Sequence, residues 1–267
     1  MNKVLTAYLL TLILSTQLLA FNFTPTPKRI SAHYVSVSQD IDILKQKLQD
    51  NGFQILATST ILKKYTVITI TNQELQNTNS YMATLQLHVS PREIRVQNPS
   101  YLAAAYIGPS YKYGQFKKTV NALEYALGSL NNSCQKADFS TLAQYRFMYG
   151  LPKKSDILSI KKAPKILEKI SNIQSKKYIS YLLKLPNGSI LVGHKLRNKT
   201  TKFLQILGQE KNAQILPYEA MIIGNEVSIL NPKYYLALSL PRLSLHEFMQ
   251  IASVPDQIYR NIQKAYK

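Results

Sequence analysis

Apolar and polar positions along the chain follow a pattern that predicts the same series of elements twice. The clearest match joins residues 94–107, which read IRVQNPSYLAAAYI, and residues 227–240, which read VSILNPKYYLALSL. Each stretch begins with residues typical of a β-strand and continues with an Asn-Pro pair, a tyrosine and an apolar run. We interpret the match as an internal duplication.

The sequences on both sides of these stretches also correspond. Upstream, each copy predicts two strands joined by a tight turn. These strand pairs are residues 81–89 with 93–96 and residues 215–223 with 226–229. Before them, each copy has a strand and then a short helix that begins at Asn72 or Asn198. Downstream, each copy ends in an amphipathic helix. The pattern predicts an α+β fold of two tandem modules, each an antiparallel sheet of about four to five strands packed with helices.

The Asn-Pro pairs have a structural explanation. Proline lacks a backbone donor and disfavours a helical conformation at the residue before it, so a strand has to end there. Asn98 or Asn231 can then bond its own backbone and start the next element. We expect a strand-ending turn at each pair. A ligand contact shared by both copies is the alternative.

Length and composition predict five segments along the chain. A chain of 267 residues is long enough for two hydrophobic cores. Residues 1–20 combine Lys3, a short apolar stretch and a final Ala20, which is typical of a signal peptide. The segments are a signal peptide at 1–20, a linker at 21–30, a first module at 31–130, a linker at 131–154 and a second module at 155–267. The expected location is therefore periplasmic or secreted, with an uncleaved N-terminal inner-membrane anchor as the alternative.

Positive charge is concentrated in one part of the chain. Lys and Arg number 33 against 14 Asp and Glu, which gives a formal net charge of +19. Residues 153–202 contain 13 basic residues and 2 acidic ones. We expect a helix at 161–171 to display part of this charge as a basic stripe. The candidate anion-binding residues are Lys153, Lys154, Lys161, Lys162, Lys165, Lys169, Lys176 and Lys177.

A basic face on the second module would attract anions of several kinds. The expected function is that of a non-catalytic envelope protein whose partner is an anionic lipid, an acidic polysaccharide or an acidic protein. Nucleic acid is a poorer partner, because the basic residues are mostly lysine and no nucleic-acid-binding motif is recognisable. A solvated, lysine-rich surface without a partner is the alternative.

Recognisable catalytic chemistry is missing from the sequence. The four histidines lack metal-ligand spacing, and neither a nucleophile elbow nor a glycine-rich phosphate loop occurs. We therefore predict no catalytic residue, no metal and no cofactor. The alternative function is a small-molecule site or active site in a cleft between the modules, formed by His88, His194, Tyr101 and Tyr234. The single cysteine, Cys134, cannot form an intramolecular disulfide.

Several motifs together resemble a known family. They are the opening VSVSQDIDILKQKLQDNGFQILATS, Leu216-Pro217, EVSILNPKYYLAL and the closing amphipathic helix. With these motifs the chain resembles the bacterial domain of unknown function 302 family, in two tandem copies. The resemblance implies a TBP-like α+β unit with a strand, a helix, an antiparallel sheet and a final helix. Members often have a cysteine after Leu-Pro, whereas this chain has Tyr218, so a thiol-based or metal-based role is not expected.

Overall fold

The computed structural model describes residues 25–146, 152–170 and 177–267. Its described part is an α+β structure with antiparallel sheets, which confirms the predicted fold class. We call residues 25–146 the first half and the described residues from 152 onward the second half. The predicted signal peptide lies outside the described residues. The described helices are all too short or too polar to cross a membrane.

Each half contains one large antiparallel sheet, and the first half also has a sheet of only two strands. The strands of the first half are β1 (Arg29–Ser31), β2 (His33–Val37), β3 (Gln54–Ile61), β4 (Tyr65–Thr71), β5 (Leu85–Val89), β6 (Glu93–Gln97), β7 (Asn131–Asn132) and β8 (Lys136–Asp138). The first sheet has the order β3-β4-β5-β6-β2-β7, and β1 pairs separately with β8. Because β1 overlaps the predicted linker 21–30 and β8 lies in the predicted linker 131–154, both stretches contain regular structure.

The second sheet repeats the strand order of the first. Its strands are β9 (Leu158–Lys162), β10 (Ile179–Lys184), β11 (Ile190–His194), β12 (Tyr218–Ile223) and β13 (Glu226–Ile229). They lie in the order β10-β11-β12-β13-β9. When the strands are matched through the sequence duplication, this order is that of β3-β4-β5-β6-β2. One hydrophobic cluster nevertheless runs through both halves, so the division into two modules stays a prediction.

Helices connect and cover the sheets. The α-helices are α1 (Ile41–Asp50), α2 (Gln73–Gln76), α3 (Pro99–Tyr106), α4 (Lys117–Leu127), α5 (Phe139–Leu142), α6 (Ile166–Ile170), α7 (Asn198–Thr201), α8 (Phe203–Ile206), α9 (Pro232–Ser239), α10 (Leu245–Gln250) and α11 (Val254–Gln263). Three short 3₁₀ helices are η1 (Gly108–Ser110), η2 (Glu210–Ile215) and η3 (Lys264–Tyr266).

The two Asn-Pro pairs mark the starts of equivalent helices. The Asn98 side chain accepts a hydrogen bond from the Ser100 amide at 2.9 Å, where α3 begins. The Asn231 side chain accepts one from the Lys233 amide at 3.0 Å, where α9 begins. In both helices the proline occupies the first turn, where its missing N–H leaves no helical bond unmade. The expected strand-ending turn is confirmed in both halves.

The helix expected at residues 161–171 is wrong for its first part. Lys161 and Lys162 belong to β9, where they pair with Val227 and Glu226 of β13. The regular helix α6 begins only at Ile166. Pairing with a neighbouring strand decided the conformation here, because a short lysine-rich segment has too little apolar periodicity to distinguish a strand from a helix.

The two faces of the first sheet differ in chemistry. On one face Ile68, Ile70, Leu85, Leu87, Ile94 and Val96 of β4, β5 and β6 are fully buried in the main core together with Leu44 of α1 and Leu123 of α4. On the other face the same strands carry buried polar side chains, including Gln86, His88 and Arg95. The helix η2 of the second half packs over this polar face. The boundary between the halves is therefore polar on its first-half side.

Candidate functional site

The predicted anion-binding lysines that the structure describes are dispersed over several elements. Lys161 and Lys162 lie on β9 at one edge of the second sheet, and Lys177 precedes β10 at the opposite edge. Four strand spacings separate these edges, which amounts to about 19 Å. Lys169 belongs to α6, and Lys176 lies outside the described residues.

The remaining three predicted lysines have other surroundings. The Lys154 ammonium donates to the Tyr106 carbonyl of the first half at 2.6 Å. Lys153 lies beside Lys154 in a shallow groove that Tyr145 also lines. The Lys165 ammonium is 3.5 Å from the Glu168 carboxylate, and both side chains are exposed. These lysines add positive charge to the surface without forming a defined site.

The four residues of the predicted cleft do not surround one cavity. His194 lines a pocket of about 390 Å³ and is hydrogen-bonded through Nε2 to the Tyr266 hydroxyl at 2.8 Å. Burial lowers the pKa of His194 to about 4, so its imidazole is neutral. Tyr101 is buried and donates to the Leu238 carbonyl of α9 at 2.7 Å. Tyr234 is also buried and packs edge-on against Tyr145.

His88 lies in a different and more cationic place. It lines a groove of about 700 Å³ between the polar face of the first sheet and η2, which we call the His88 groove. The ionisable residues of its wall, besides His88, are the basic Lys64, Arg92, Arg95 and Lys211 and the acidic Glu93 and Glu210. Basic residues outnumber acidic ones, so the groove favours an anion.

Strand alternation positions the floor of this groove. His88 of β5 and Arg95 of β6 are directly opposite each other in the antiparallel ladder. Since side chains alternate between the faces of a sheet, both project from the polar face while their neighbours Leu87 and Ile94 enter the core. The alternation of apolar and polar residues in β5 and β6 could have predicted that His88 and Arg95 lie on the polar face.

Arg95 is held rigidly by neighbours from both halves. Its side chain is almost fully buried, with Nε donating to Glu93 and Nη1 donating to the Asn212 side-chain oxygen at 3.1 Å. Asn212 belongs to η2, so this bond crosses between the halves. The Nη2 group of Arg95 has no hydrogen-bond partner among the described residues. Two N–H donors of a fixed guanidinium are thus unused.

His88 has an unused acceptor. Its side chain is 3% exposed, and its Nδ1 lies 2.9 Å from the Lys211 carbonyl, which can only accept. Nδ1 therefore carries the proton, and Nε2 has no hydrogen-bond partner within the described part of the chain. Burial lowers the pKa of His88, and the Arg95 charge lowers it further. The imidazole is neutral near neutral pH, and Nε2 acts as an acceptor.

Unpartnered polar atoms are concentrated on this side of the first sheet. The described residues contain six buried side-chain atoms without a hydrogen-bond partner. Five of them belong to the polar face or to η2, namely His33 Nδ1, Thr69 Oγ1, Gln86 Oε1, His88 Nε2 and Gln214 Oε1. Buried polar atoms normally have partners in the protein or in ordered water, so this layer requires water or a ligand.

Metal binding receives no support from the described residues. Among them, no group of three or more His, Cys, Asp or Glu side chains could hold a metal ion. Cys134 is exposed and free of any disulfide.

Comparisons of this chain with protein-family models, with curated proteins and with solved structures gave no match. The resemblance to the domain of unknown function 302 family therefore stays a prediction from the sequence motifs.

Proposed function

We propose that this protein is a non-catalytic binding protein of the cell envelope that holds an anionic partner through its positive charge. The observation that carries the proposal is the excess of basic residues, 33 against 14 acidic ones. In the described part of the chain only four ion pairs form, and three of them lie at exposed or half-exposed positions. Most cations therefore keep their charge available to an outside partner.

The distribution of charge favours an extended partner. Lys161 and Lys177 lie at opposite edges of the second sheet, and Lys154 lies at the boundary with the first half. A membrane surface with anionic lipids contacts many dispersed cations at once, and each contributes about 1 kcal/mol near such a surface. An acidic envelope polysaccharide also presents many negative charges along an extended partner. The location in the envelope rests on the signal-peptide pattern of residues 1–20.

Vesicle binding tests this function. The purified protein should sediment with vesicles that contain phosphatidylglycerol and not with vesicles of phosphatidylcholine alone. Because exposed charges are screened over about 10 Å at 0.1 M salt, binding should fall steeply as salt is added. A parallel titration with an acidic polysaccharide identifies a glycan as the partner. Lack of binding to both anionic partners at low salt would contradict the proposal.

A further inference from the structure

We infer that the His88 groove is a binding site for a phosphate group that retains one proton, either free hydrogen phosphate or a phosphomonoester. This rests on the proposed function, because it identifies the anionic group that one particular place on the protein recognises. The site is distinct from the dispersed surface lysines, since its floor is made of buried side chains that the fold holds in position.

The groove supplies the cationic half of a phosphate site. The buried Arg95 has two unused N–H donors on Nη2, and a guanidinium binds phosphate oxygens through such paired donors. Lys211 and Arg92 line the same groove and add mobile positive charge. The Glu93 carboxylate offsets the charge of Arg95 but accepts a hydrogen bond only from the Arg95 Nε. An anion that enters the groove therefore meets fixed donors at the floor and further cations in the wall.

The groove also supplies an acceptor, which restricts the kind of anion. His88 Nε2 is a bare acceptor because Nδ1 donates to the Lys211 carbonyl. A buried acceptor without a partner destabilises the protein, and a ligand that donates a hydrogen bond to it removes that cost. Hydrogen phosphate and phosphomonoester monoanions carry both negatively charged oxygens, which accept hydrogen bonds, and an O–H group, which donates one. Sulfate and phosphodiesters are anions of similar shape without that O–H group.

One aromatic ring packs against the His88 imidazole at the groove. Tyr65 lines the groove and stands edge-on to the His88 imidazole, with 5.4 Å between the ring centroids. Tyr65 is only half-buried, so its ring can rotate toward solvent. We expect this rotation to open Nε2 to the groove while the hydrogen bond to the Lys211 carbonyl holds the imidazole in place.

The comparison of phosphate with sulfate tests the assignment. Calorimetric titration at about pH 7, where the His88 imidazole is neutral and inorganic phosphate keeps at least one proton, should show phosphate binding at least about tenfold tighter than sulfate. That factor corresponds to about 1.4 kcal/mol, within the range expected for satisfying a buried acceptor. Equal affinities for the two anions, or binding of neither, would overturn the inference.

Three variants locate the effect in the groove. His88→Phe keeps a ring but removes the acceptor, so phosphate affinity should fall to that of sulfate. Lys211→Ala removes a charge from the groove and leaves the backbone carbonyl, so both anions should bind several-fold more weakly. Lys184→Ala removes an equal charge from an exposed position on β10 and should change neither. If His88→Phe does not fold, equal effects of the two lysine variants would still refute the site.

Vesicles distinguish a lipid headgroup from free phosphate. Phosphatidic acid is a phosphomonoester, and phosphatidylglycerol is a diester. A preference for phosphatidic acid that Lys211→Ala abolishes assigns the lipid as source, whereas a preference only for free phosphate over sulfate assigns the soluble anion. If anionic vesicles bind but the groove variants and the choice of anion have no effect, this inference fails and the proposed function stands.

Discussion

Three residues in neighbouring strands of the second sheet depend on one another. Tyr181 of β10, Gly193 of β11 and Glu219 of β12 lie in one cross-strand row. Because Gly193 has no side chain, the Tyr181 ring lies across it and its hydroxyl donates to the Glu219 carboxyl. Thr84 from the first half donates to the same carboxyl oxygen. The glycine is required by the space that the tyrosine ring fills, not by its backbone conformation.

Replacement of Gly193 by alanine tests this dependence. An added Cβ would lie 2.2 Å from the Tyr181 ring, which is closer than any relaxed contact. We expect Gly193→Ala to destabilise the protein by about 1 to 3 kcal/mol, the usual cost of overpacking. In a Tyr181→Ala background the same change should cost little, because the clash is gone. Urea unfolding of the four proteins of this cycle measures the coupling, and equal costs in both backgrounds would exclude the clash.

At the scale of elements, the Asn-Pro motif behaves alike in both halves but is embedded differently. Asn98 is fully buried and also donates from Nδ2 to the Ser31 carbonyl at 2.8 Å, which joins α3 to β1. Asn231 is half-buried, and its side chain makes only the capping bond among the described contacts. The sequence motif predicted both helix starts. The additional bond of Asn98 depends on a strand that is distant in sequence.

Alanine substitutions should separate these two roles. Asn231→Ala loses an N-cap and should cost about 1 kcal/mol. Asn98→Ala loses the cap and also leaves the buried Ser31 carbonyl unpaired, which should raise the cost to about 3 kcal/mol. Urea unfolding of the two variants, measured against the unsubstituted protein, checks the difference. Similar costs would mean that the bond to Ser31 contributes little.

At the scale of the whole molecule, the halves meet through buried polar groups as well as through a shared core. Tyr81 donates to the Ser228 carbonyl at 3.1 Å, and Gln86 donates to the Pro217 carbonyl at 3.0 Å. Glu219 lies in this boundary, where burial raises its pKa from the ordinary value of 4.5 to about 7. Above that pKa the folded protein carries a buried negative charge with hydroxyl donors around it.

Stability should therefore depend on pH through Glu219. Since the folded carboxyl binds a proton more tightly than the unfolded one, this contribution is favourable at low pH and is lost as pH rises from 4.5 toward about 7. Between about pH 5 and about pH 8, the unsubstituted protein should lose about 2 to 3 kcal/mol relative to Glu219→Gln, which cannot titrate. Urea unfolding of both proteins at the two pH values measures this. The buried histidines are present in both and cancel. A difference that is independent of pH would contradict the raised pKa.

Local sequence patterns were enough to predict the α+β class, the helix starts at Asn98 and Asn231 and the overall positive charge. These features arise from local periodicity, from the backbone limits of proline and from residue counts, all of which act over short distances along the chain. The tertiary structure alone showed that Lys161 and Lys177 lie at opposite edges of a sheet, and that Lys161 belongs to a strand. It also decided that His88 and Arg95 share the floor of a groove that η2 covers. Strand pairing and the packing of one half on the other join residues that are far apart in sequence, and local periodicity carries no record of those contacts.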